Sequence, residues 1–291
     1  EKDVERPRMV PLSIVPLYAQ QRDAAVRERA ECVVMFSGGA QSFVAAQRAV
    51  ERFGAANTVM LFADTSAEDA DLYRFVIQAA ASIGAPLHIV RDGRTPQQVL
   101  RDRKFLGSGR GAPCSELLKR KPMDAWVATN APDAVQVYGL SWEEPHRVES
   151  IRRAKAPANV WCPLSEAPYL TKDDVLAAVE AAGIAMPKLY RDGFAHNNCG
   201  GACVRGGQGA WLHLLDKNPA LYSEWEAWEQ DMRQQVGPYA ILRDRSGGRT
   251  RPLPLVELRS RNRETLDVFE IAGCGCATEY PTPTPEGQGD E

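Results

Sequence analysis

The stretch Cys32-Val-Val-Met-Phe-Ser-Gly-Gly-Ala-Gln-Ser42 constrains the fold of this chain more than any other. An apolar run passes through Ser-Gly-Gly into a helix-forming segment at residues 42–53. A strand that turns into a helix through two glycines leaves backbone N–H groups at the helix N-terminus, where they and the helix dipole attract phosphate. The stretch therefore predicts a phosphate or pyrophosphate site, with an ordinary ligand-free turn as the competing interpretation.

Strand and helix patterns alternate after this stretch. Apolar, β-branched runs predict strands at residues 58–63, 86–90, 135–140 and 160–164, and periodic segments predict helices at 68–83, 115–129 and from Thr171 to near Gly183. This alternation predicts an α/β fold, namely a doubly wound, mainly parallel sheet with helices on both faces. Ligands of such sheets bind beyond the carboxyl ends of the strands, where residues 37–39 and 64–66 fall.

We divide the chain into four parts. Residues 1–30 form an N-terminal arm with a helix from about residue 20 to 31, and residues 31–190 form the nucleotide-binding α/β domain. Residues 191–278 form a cysteine-bearing C-terminal region, helical and metal-binding, with helices at 210–216 and 220–234 and a basic, irregular segment at 237–263. Residues 279–291, rich in Pro, Gly and acidic residues, are expected to be a disordered tail.

Charge and hydropathy narrow the function classes. The net charge of −3 gives no global signal for nucleic acid, and no apolar run is long enough to cross a bilayer. The charged start does not resemble a signal peptide, so we expect a cytoplasmic protein without a membrane partner. Seven arginines between residues 243 and 263 could follow a nucleic-acid backbone, with scattered solvating charge as the simpler interpretation.

The cysteine content indicates metal or redox chemistry. Seven cysteines are an odd number, and in a reducing compartment such a set favours metal binding over disulfides. Cys32 and Cys162 lie in apolar contexts and are predicted core residues. The other five lie beside Gly, Pro, Ser or Asn, as ligands in loops do: Cys114, Cys199, Cys203, Cys274 and Cys276.

Four motifs in order resemble the phosphoadenosine phosphosulfate reductase-like family of the adenine nucleotide alpha-hydrolase (PP-loop ATP pyrophosphatase) superfamily. They are Ser-Gly-Gly-Ala-Gln-Ser at 37–42, Phe-Ala-Asp-Thr at 62–65 with its helix, Cys-Ser-Glu-Leu-Leu-Lys-Arg-Lys-Pro at 114–122, and Tyr-Arg-Asp-Gly-Phe at 190–194 leading into Cys199 and Cys203. The similarity runs from about Cys32 to Val204.

This resemblance implies an adenine nucleotide ligand, ATP or a relative, and a set of site residues. The residues expected to bind the nucleotide are Ser37, Gly38, Gly39, Gln41, Ser42, Asp64, Thr65 and Gly139. The expected catalytic residues are Cys114, Asp64 and Arg147, the last because a guanidinium binds phosphate bidentately. His196 is either a ligating or orienting residue or an ordinary polar loop residue.

Two departures from the family pattern bear on the chemistry. Members that split ATP have Lys and Asp where this chain has Ala40 and Gln41. The lysine would supply a positive charge for the phosphate and the aspartate a carboxylate for Mg²⁺, and this chain has neither. Mg²⁺ stays among the expected cofactors. The Glu-Cys-Gly motif of the reductases is also absent from the tail. Sulfonucleotide reduction by their mechanism is therefore not expected.

The resemblance also implies a metal centre on Cys114, Cys199 and Cys203, completed by Cys274, Cys276 or an exogenous ligand. Thiolates suit zinc and iron–sulfur clusters alike, and we favour a 4Fe-4S cluster over zinc. Three ligands would leave one iron open for sulfur transfer, whereas four would close the site.

The expected function is that of a transferase in which ATP-dependent adenylation activates an acceptor for sulfur transfer. The alternative is a non-catalytic nucleotide-binding module of a larger, nucleic-acid-associated assembly. Ala40 and Gln41 favour the module, and the cysteine series favours the enzyme. The acceptor, the sulfur donor and any oligomeric state are not identified by the sequence.

Overall fold

Five parallel strands form the central sheet. The computed structural model describes residues 30–106, 111–246 and 249–261. The strands are β1 (Cys32–Phe36), β2 (Thr58–Asp64), β3 (Leu87–Arg91), β4 (Val135–Val137) and β5 (Val160–Trp161), in the order β3-β2-β1-β4-β5. The chain moves outward from β1 to β3 and then crosses to β4, so the direction of winding reverses between β1 and β4. A ligand cleft is expected at that switch point.

Helices connect and cover the strands. They are α1 (Ala40–Phe53), α2 (Ala70–Ile83), α3 (Pro96–Asp102), α4 (Pro113–Ser115), a π-helical turn (Glu116–Arg120), α5 (Lys121–Asn130), α6 (Pro145–Lys155), α7 (Lys172–Ala181), α8 (Lys188–Arg191), α9 (Gln208–Lys217), α10 (Pro219–Val236) and α11 (Leu255–Ser260). Three short 3₁₀ turns lie at Ala55–Asn57, Pro163–Ser165 and Cys199–Gly201.

Every residue of β1 and β2 is buried, because both faces of the sheet are covered. Val34 and Phe36 face a core that includes side chains of α1, α2 and α7, whereas Val33 and Met35 face a second core with α5 and α6. This alternation follows from the period of two in a strand. The predicted doubly wound α/β fold is confirmed.

The predicted strands at 135–140 and 160–164 are shorter in the structure. β4 ends at Val137 and β5 at Trp161, and Pro163 begins a 3₁₀ turn because its ring cannot supply a backbone donor to the sheet. The predicted arm apart from Ala30, the helix at 20–29, the tail, Cys274 and Cys276 lie outside the described residues.

The prediction of an irregular segment at 237–263 is wrong at residues 242–244, 251–253 and 255–260. An antiparallel hairpin of β6 (Leu242–Asp244) and β7 (Arg251–Leu253) precedes α11. Apolar residues between the arginines, Leu253, Leu255 and Leu258, are fully buried in a third core with Trp211 and Tyr222. The burial of these leucines stabilises the hairpin and α11. The many arginines of the segment gave no indication of these elements in the sequence.

Ion pairs engage several arginines of this segment. Arg251 pairs with Glu257 at 2.6 Å and Arg261 with Asp244 at 2.5 Å. Arg259 pairs with Glu226 at 2.6 Å. These three guanidinium groups have carboxylate partners, and a nucleic-acid partner for the segment stays a prediction. Across the described ranges, we find no helix with the length and apolar character that a bilayer span requires.

Candidate functional site

A central cavity lies beyond the carboxyl ends of β1, β2 and β4, at the switch point of the sheet. Its lining residues are Met35, Phe36, Ser37, Gly39, Gln41, Ser42, Phe62, Ala63, Lys119, Met123, Tyr138, Gly139, Leu140, Arg147, Tyr190, His196, Asn197 and Asn198. Four of the predicted phosphate-loop residues therefore meet Arg147 and Gly139 at one space, as the sheet topology leads us to expect.

The glycine loop is shaped around the hydroxyl of Ser42. This hydroxyl donates to the Gly39 carbonyl at 2.8 Å and accepts from the Ser37 hydroxyl at 3.1 Å and the Ser37 N–H at 3.3 Å. Gly38 has a φ of +76°, which a side chain rarely adopts, and its Cα faces Leu72 and Val76 of α2. Ser42 is thus a loop-forming residue, and Ser37 is the exposed hydroxyl of the pair.

Gly139 brings the end of β4 against the first turn of α1. A Cβ at this position would lie 2.8 Å from the Ser42 nitrogen and 2.9 Å from the Gln41 carbonyl oxygen. Both are backbone atoms, so the clash could not be relieved by a side-chain rotation. The close approach of two backbones explains why a glycine is needed here.

Tyr190 lies at the N-terminus of α1, where the N-cap residue Gly39 supplies no side-chain hydrogen bond. Its hydroxyl accepts the Ala40 N–H at 3.4 Å, and burial raises the pKa of this phenol, so it stays protonated at neutral pH. The motif at 190–194 was visible in the sequence, but the site role of Tyr190 was missed because a contact spanning 150 positions has no local signal.

Asn197 covers the other side of the glycine loop. This residue is 1% exposed, and its Nδ2 donates to the Gly38 carbonyl at 2.9 Å. Its Oδ1 is buried and accepts no hydrogen bond from any described residue. A buried acceptor that lines a cavity indicates a donor on a bound molecule or a water. Asn197 was not predicted as a site residue.

Lys119 and Arg147 bring positive charge to the central cavity. Arg147 forms an ion pair with Glu144, one helical turn away, and the Nζ of Lys119 lies 3.5 Å from the Glu68 carboxylate. Ala40 is 3% exposed, so the residue in place of the family lysine lies in the core. Within the described ranges, no Asp or Glu lines this cavity.

Asp64 and Thr65 lie beside the central cavity but do not line it. The Asp64 carboxylate accepts hydrogen bonds from the Tyr73 hydroxyl at 2.7 Å, the Ser66 N–H at 2.8 Å and Arg91 Nε at 2.9 Å. Asp64 is 1% exposed, so these three donors satisfy a buried charge at the end of β2. The Thr65 hydroxyl donates to Glu68 at 2.9 Å.

Three cysteines line a second space, here called the cysteine cavity. It is lined by Cys114, Cys199 and Cys203 together with Thr65, Lys119 and five further residues: Pro96, Ser115, Ala202, Val204 and Trp225.

The buried carboxylate of Glu68 contacts three of the residues that line the cysteine cavity. Its carboxylate accepts the Cys199 N–H and the Thr65 hydroxyl and lies against Lys119, so it joins the end of β2 to the π-helical turn and to the turn at Cys199. Its side chain is 1% exposed. Sequence reasoning missed Glu68, because its partner at Cys199 lies 131 positions away.

The three cysteines meet at one space but do not form a complete metal site. Among residues 30–106, 111–246 and 249–261, no three His, Cys, Asp or Glu side chains are grouped closely enough to hold a metal ion. Cys274 and Cys276, the predicted completing ligands, lie outside these ranges. The predicted metal centre therefore stays a prediction.

Cys32 and Cys162 are core residues, as predicted, and both are 0% exposed. Burial raises the pKa of the Cys32 thiol to about 12 and that of Cys162 to about 11. Both thiols are protonated at neutral pH and are poor metal ligands or nucleophiles.

A third space, here called the histidine cavity, adjoins the other two. It is lined by Gly193, Phe194, Ala195, His196, Asn198, Gly201, Cys203, Arg205, Gly206, Ala210 and His213. It shares His196 and Asn198 with the central cavity and Cys203 with the cysteine cavity.

Comparison with known proteins identifies a family. The profile of the phosphoadenosine phosphosulfate reductase domain matches residues 31–202. A crystal structure of phosphoadenylyl-sulfate (PAPS) reductase from Candida auris, in a phosphate complex, is similar to this chain at 14% sequence identity and a TM-score of 0.41, over 65% of this chain and 95% of that chain. No curated protein matches the chain.

Proposed function

Because this chain belongs to the phosphoadenosine phosphosulfate reductase domain family, we propose that it binds an adenine nucleotide in the central cavity and uses it in sulfur-transfer chemistry. Family membership supports nucleotide-linked sulfur chemistry in general. The choice of ATP, the adenylation step and the metal centre are the finer parts of the proposal.

One observation carries the proposal: the glycine loop, the N-terminus of α1 and two basic side chains surround the same cavity. Backbone N–H groups at a helix N-terminus bind phosphate, and Lys119 and Arg147 supply charge that Ala40 cannot. We assign the phosphates to Ser37, Gly39 and Ser42. Asp64 and Thr65 do not line the cavity, so we assign them a positioning role for the residues at the end of β2.

In the enzymatic version of the proposal, the nucleotide activates an acceptor oxygen. Transfer of AMP from ATP to that oxygen releases pyrophosphate and makes AMP the leaving group. A sulfur nucleophile then forms its bond to the acceptor carbon as the bond to AMP breaks. Arg147 lines the central cavity, which supports its assignment as the residue that stabilises charge on the transferred phosphate.

The metal centre is a separate part of the proposal. Cys114, Cys199 and Cys203 line one cavity, and thiolates suit an iron–sulfur cluster or zinc. Bound there, such a centre would supply a site for sulfur or a structural link to the C-terminal region. Metal analysis and an absorption spectrum of anaerobically purified protein test this, and protein without metal or visible absorbance would reject it.

A non-catalytic nucleotide-binding module is the second candidate, favoured by the absence of any carboxylate among the described residues that line the central cavity. Binding of a nucleotide needs donors and positive charge, whereas cleavage of ATP usually needs a held Mg²⁺. Labelled ATP with candidate acceptors separates the two functions: AMP and pyrophosphate indicate the enzyme, and binding without turnover indicates the module.

Calorimetry of the full chain with AMP and ATP tests nucleotide binding. Gly39→Val should abolish it, because a Cβ at Gly39 would already lie 3.0 Å from the Tyr190 hydroxyl at the loop. Gly111→Val is the matched control, since a Cβ at Gly111 would have no atom within 4 Å. Equal affinity of the folded Gly39→Val variant and the wild type would overturn the assignment of the loop.

A further inference from the structure

Asn197 places a buried acceptor at the edge of the central cavity. The residue lines this cavity and is 1% exposed. Its Nδ2 donates to the Gly38 carbonyl oxygen at 2.9 Å. Because a carbonyl oxygen only accepts, the amide group cannot turn around without losing this bond, so Oδ1 is fixed as an acceptor. Across residues 30–106, 111–246 and 249–261, no group donates a hydrogen bond to Oδ1.

This oxygen favours a particular kind of ligand. A buried amide oxygen without a donor destabilises the folded chain, because the bond that it makes to water in the unfolded state is lost. A bound molecule that brings an N–H or O–H group to Oδ1 removes this cost. A group with only acceptors at the same point adds repulsion between lone pairs, so Oδ1 discriminates between donors and acceptors on the ligand.

The two sides of the central cavity differ in polarity, and this indicates which part of a nucleotide reaches Oδ1. One side is apolar and belongs to the core beside α5 and α6, with the lining residues Met35, Ala63, Met123, Tyr138 and Leu140. The polar side is the glycine loop with Tyr190 and Asn197, and Tyr190 packs against the core on the opposite face of the sheet.

An adenine ring suits the apolar side, and phosphates suit the N–H groups of the loop. The ribose of a nucleotide joins its base to its phosphate and therefore lies between these two sides. The adenine amino group is on the edge of the base that points away from the sugar. The hydroxyl groups of the ribose are thus the donors nearest to the loop and to Asn197.

We propose that Asn197 selects the sugar of the nucleotide, with Oδ1 accepting a hydrogen bond from a free hydroxyl group of the ribose. A phosphate group on the 3′ oxygen would replace this donor by oxygens that are largely unprotonated at neutral pH. The site therefore favours AMP and ATP over nucleotides that carry a 3′-phosphate. This inference rests on the proposed function, because it requires the nucleotide in the central cavity.

The test is a double-mutant cycle between Asn197 and the sugar, measured by calorimetry on the full chain. AMP, 2′-deoxy-AMP and 3′-deoxy-AMP are compared on the wild type and on Asn197→Ala. We expect one deoxy analogue to bind the wild type about fivefold to fiftyfold more weakly than AMP, since a buried acceptor then loses its donor. On Asn197→Ala, the affinities for AMP and for that analogue should agree within about twofold.

The cycle separates this contact from the structural role of Asn197. Loss of the bond to Gly38 disturbs the loop and weakens all three nucleotides alike, so it cancels in the ratio of affinities. Asn159→Ala is the matched control and should keep the wild-type ratio, because Asn159 is exposed and lines none of the three cavities. If Asn197→Ala does not fold, the wild type decides, and adenosine 3′,5′-bisphosphate should bind it at least about tenfold more weakly than AMP.

Three results would overturn the inference. Equal affinity of the wild type for AMP and both deoxy analogues would show that Oδ1 accepts from a water molecule. A deoxy penalty that persists in Asn197→Ala would assign the sugar contact to another residue, and bisphosphate binding as tightly as AMP would reject the selection against a 3′-phosphate. The proposed function fails in a different way: if the wild type binds no adenine nucleotide, both proposals are rejected, whereas AMP binding without sugar discrimination rejects this inference alone.

Discussion

Two side chains from beyond the parallel sheet complete the glycine loop. The Tyr190 hydroxyl accepts the Ala40 N–H, and Asn197 donates to the Gly38 carbonyl. The Tyr190 hydroxyl makes no other hydrogen bond to the described residues, so its proton is available to a phosphate oxygen in the loop. A neutral donor thus stands near the position from which the family lysine is missing.

Tyr190→Phe should weaken the binding of AMP by about twofold to tenfold, the range expected for the loss of one neutral hydrogen bond. Calorimetry measures the affinity, and thermal unfolding checks the fold. Tyr169→Phe is the control, because Tyr169 is 62% exposed. Equal effects of the two substitutions would contradict a role for the Tyr190 hydroxyl in the loop.

The binding of ADP should not depend on Mg²⁺. No carboxylate lines the described central cavity, and Mg²⁺ sites of proteins generally use one or two carboxylates with the phosphates. We expect affinities in Mg²⁺ and in EDTA to agree within about twofold by calorimetry, a difference of ~0.4 kcal/mol. An increase of about tenfold or more on adding Mg²⁺ would show that another group holds the ion.

At the scale of elements, one buried carboxylate joins α10 to the two segments that follow it. Glu229 is 0% exposed and accepts the Ile241 N–H at 2.9 Å and the Leu255 N–H at 2.6 Å. These bonds orient the hairpin of β6 and β7 and the start of α11. Burial raises the pKa of Glu229 above its ordinary value, although the two N–H donors oppose the shift.

This raised pKa predicts a pH dependence of stability. The folded state binds the proton more tightly than the unfolded state, so the contribution of Glu229 is largest below its unfolded pKa and is lost as the pH rises through its folded pKa. Gln cannot titrate, so the unfolding free energy of the wild type minus that of Glu229→Gln should fall as the pH rises above about 4.5.

Urea unfolding at several pH values measures this difference. Glu224→Gln is the matched control, because Glu224 is an exposed residue of the same helix. A difference between the wild type and Glu229→Gln that stays constant with pH would contradict the prediction.

At the scale of the molecule, the site crosses the predicted domain boundary at residue 190. His196, Asn197 and Asn198 line the central cavity with residues of the parallel sheet, and Leu100 and Leu106 pack in the same core as Trp211. The α/β domain and the segment after residue 190 therefore share one site. The histidine cavity shares His196 and Asn198 with the central cavity and Cys203 with the cysteine cavity.

Hydrogen exchange should reveal this shared site. Bound AMP is expected to slow amide exchange at residues 37–42 and also at 190–198, because both segments surround the central cavity. The hairpin at 242–253 does not line the cavity and serves as the internal control. Protection confined to residues 37–42 would contradict the involvement of the later segment.

The sequence by itself determined the alternation of strands and helices in the α/β domain, the glycine turn between β1 and α1, and the two core cysteines. These features depend on local patterns: the apolar runs of β1 and β2, the two glycines after Phe36, and the apolar neighbours of Cys32 and Cys162. Neighbouring residues set backbone propensity and the local requirement for burial, so such features can be recognised without knowledge of the fold.

Only the tertiary structure decided which side chains meet. Tyr190 reaches Ala40 across 150 positions, Asn197 reaches Gly38 across 159, and Cys199 reaches Glu68 across 131. The burial of Leu253, Leu255 and Leu258 could not be predicted either, because arginines surround them in the sequence. Carboxylates far away in the sequence pair with those arginines in the fold. Such contacts are formed when the sheet and its helices pack together, and a polar side chain carries no local mark of the partner that will satisfy it.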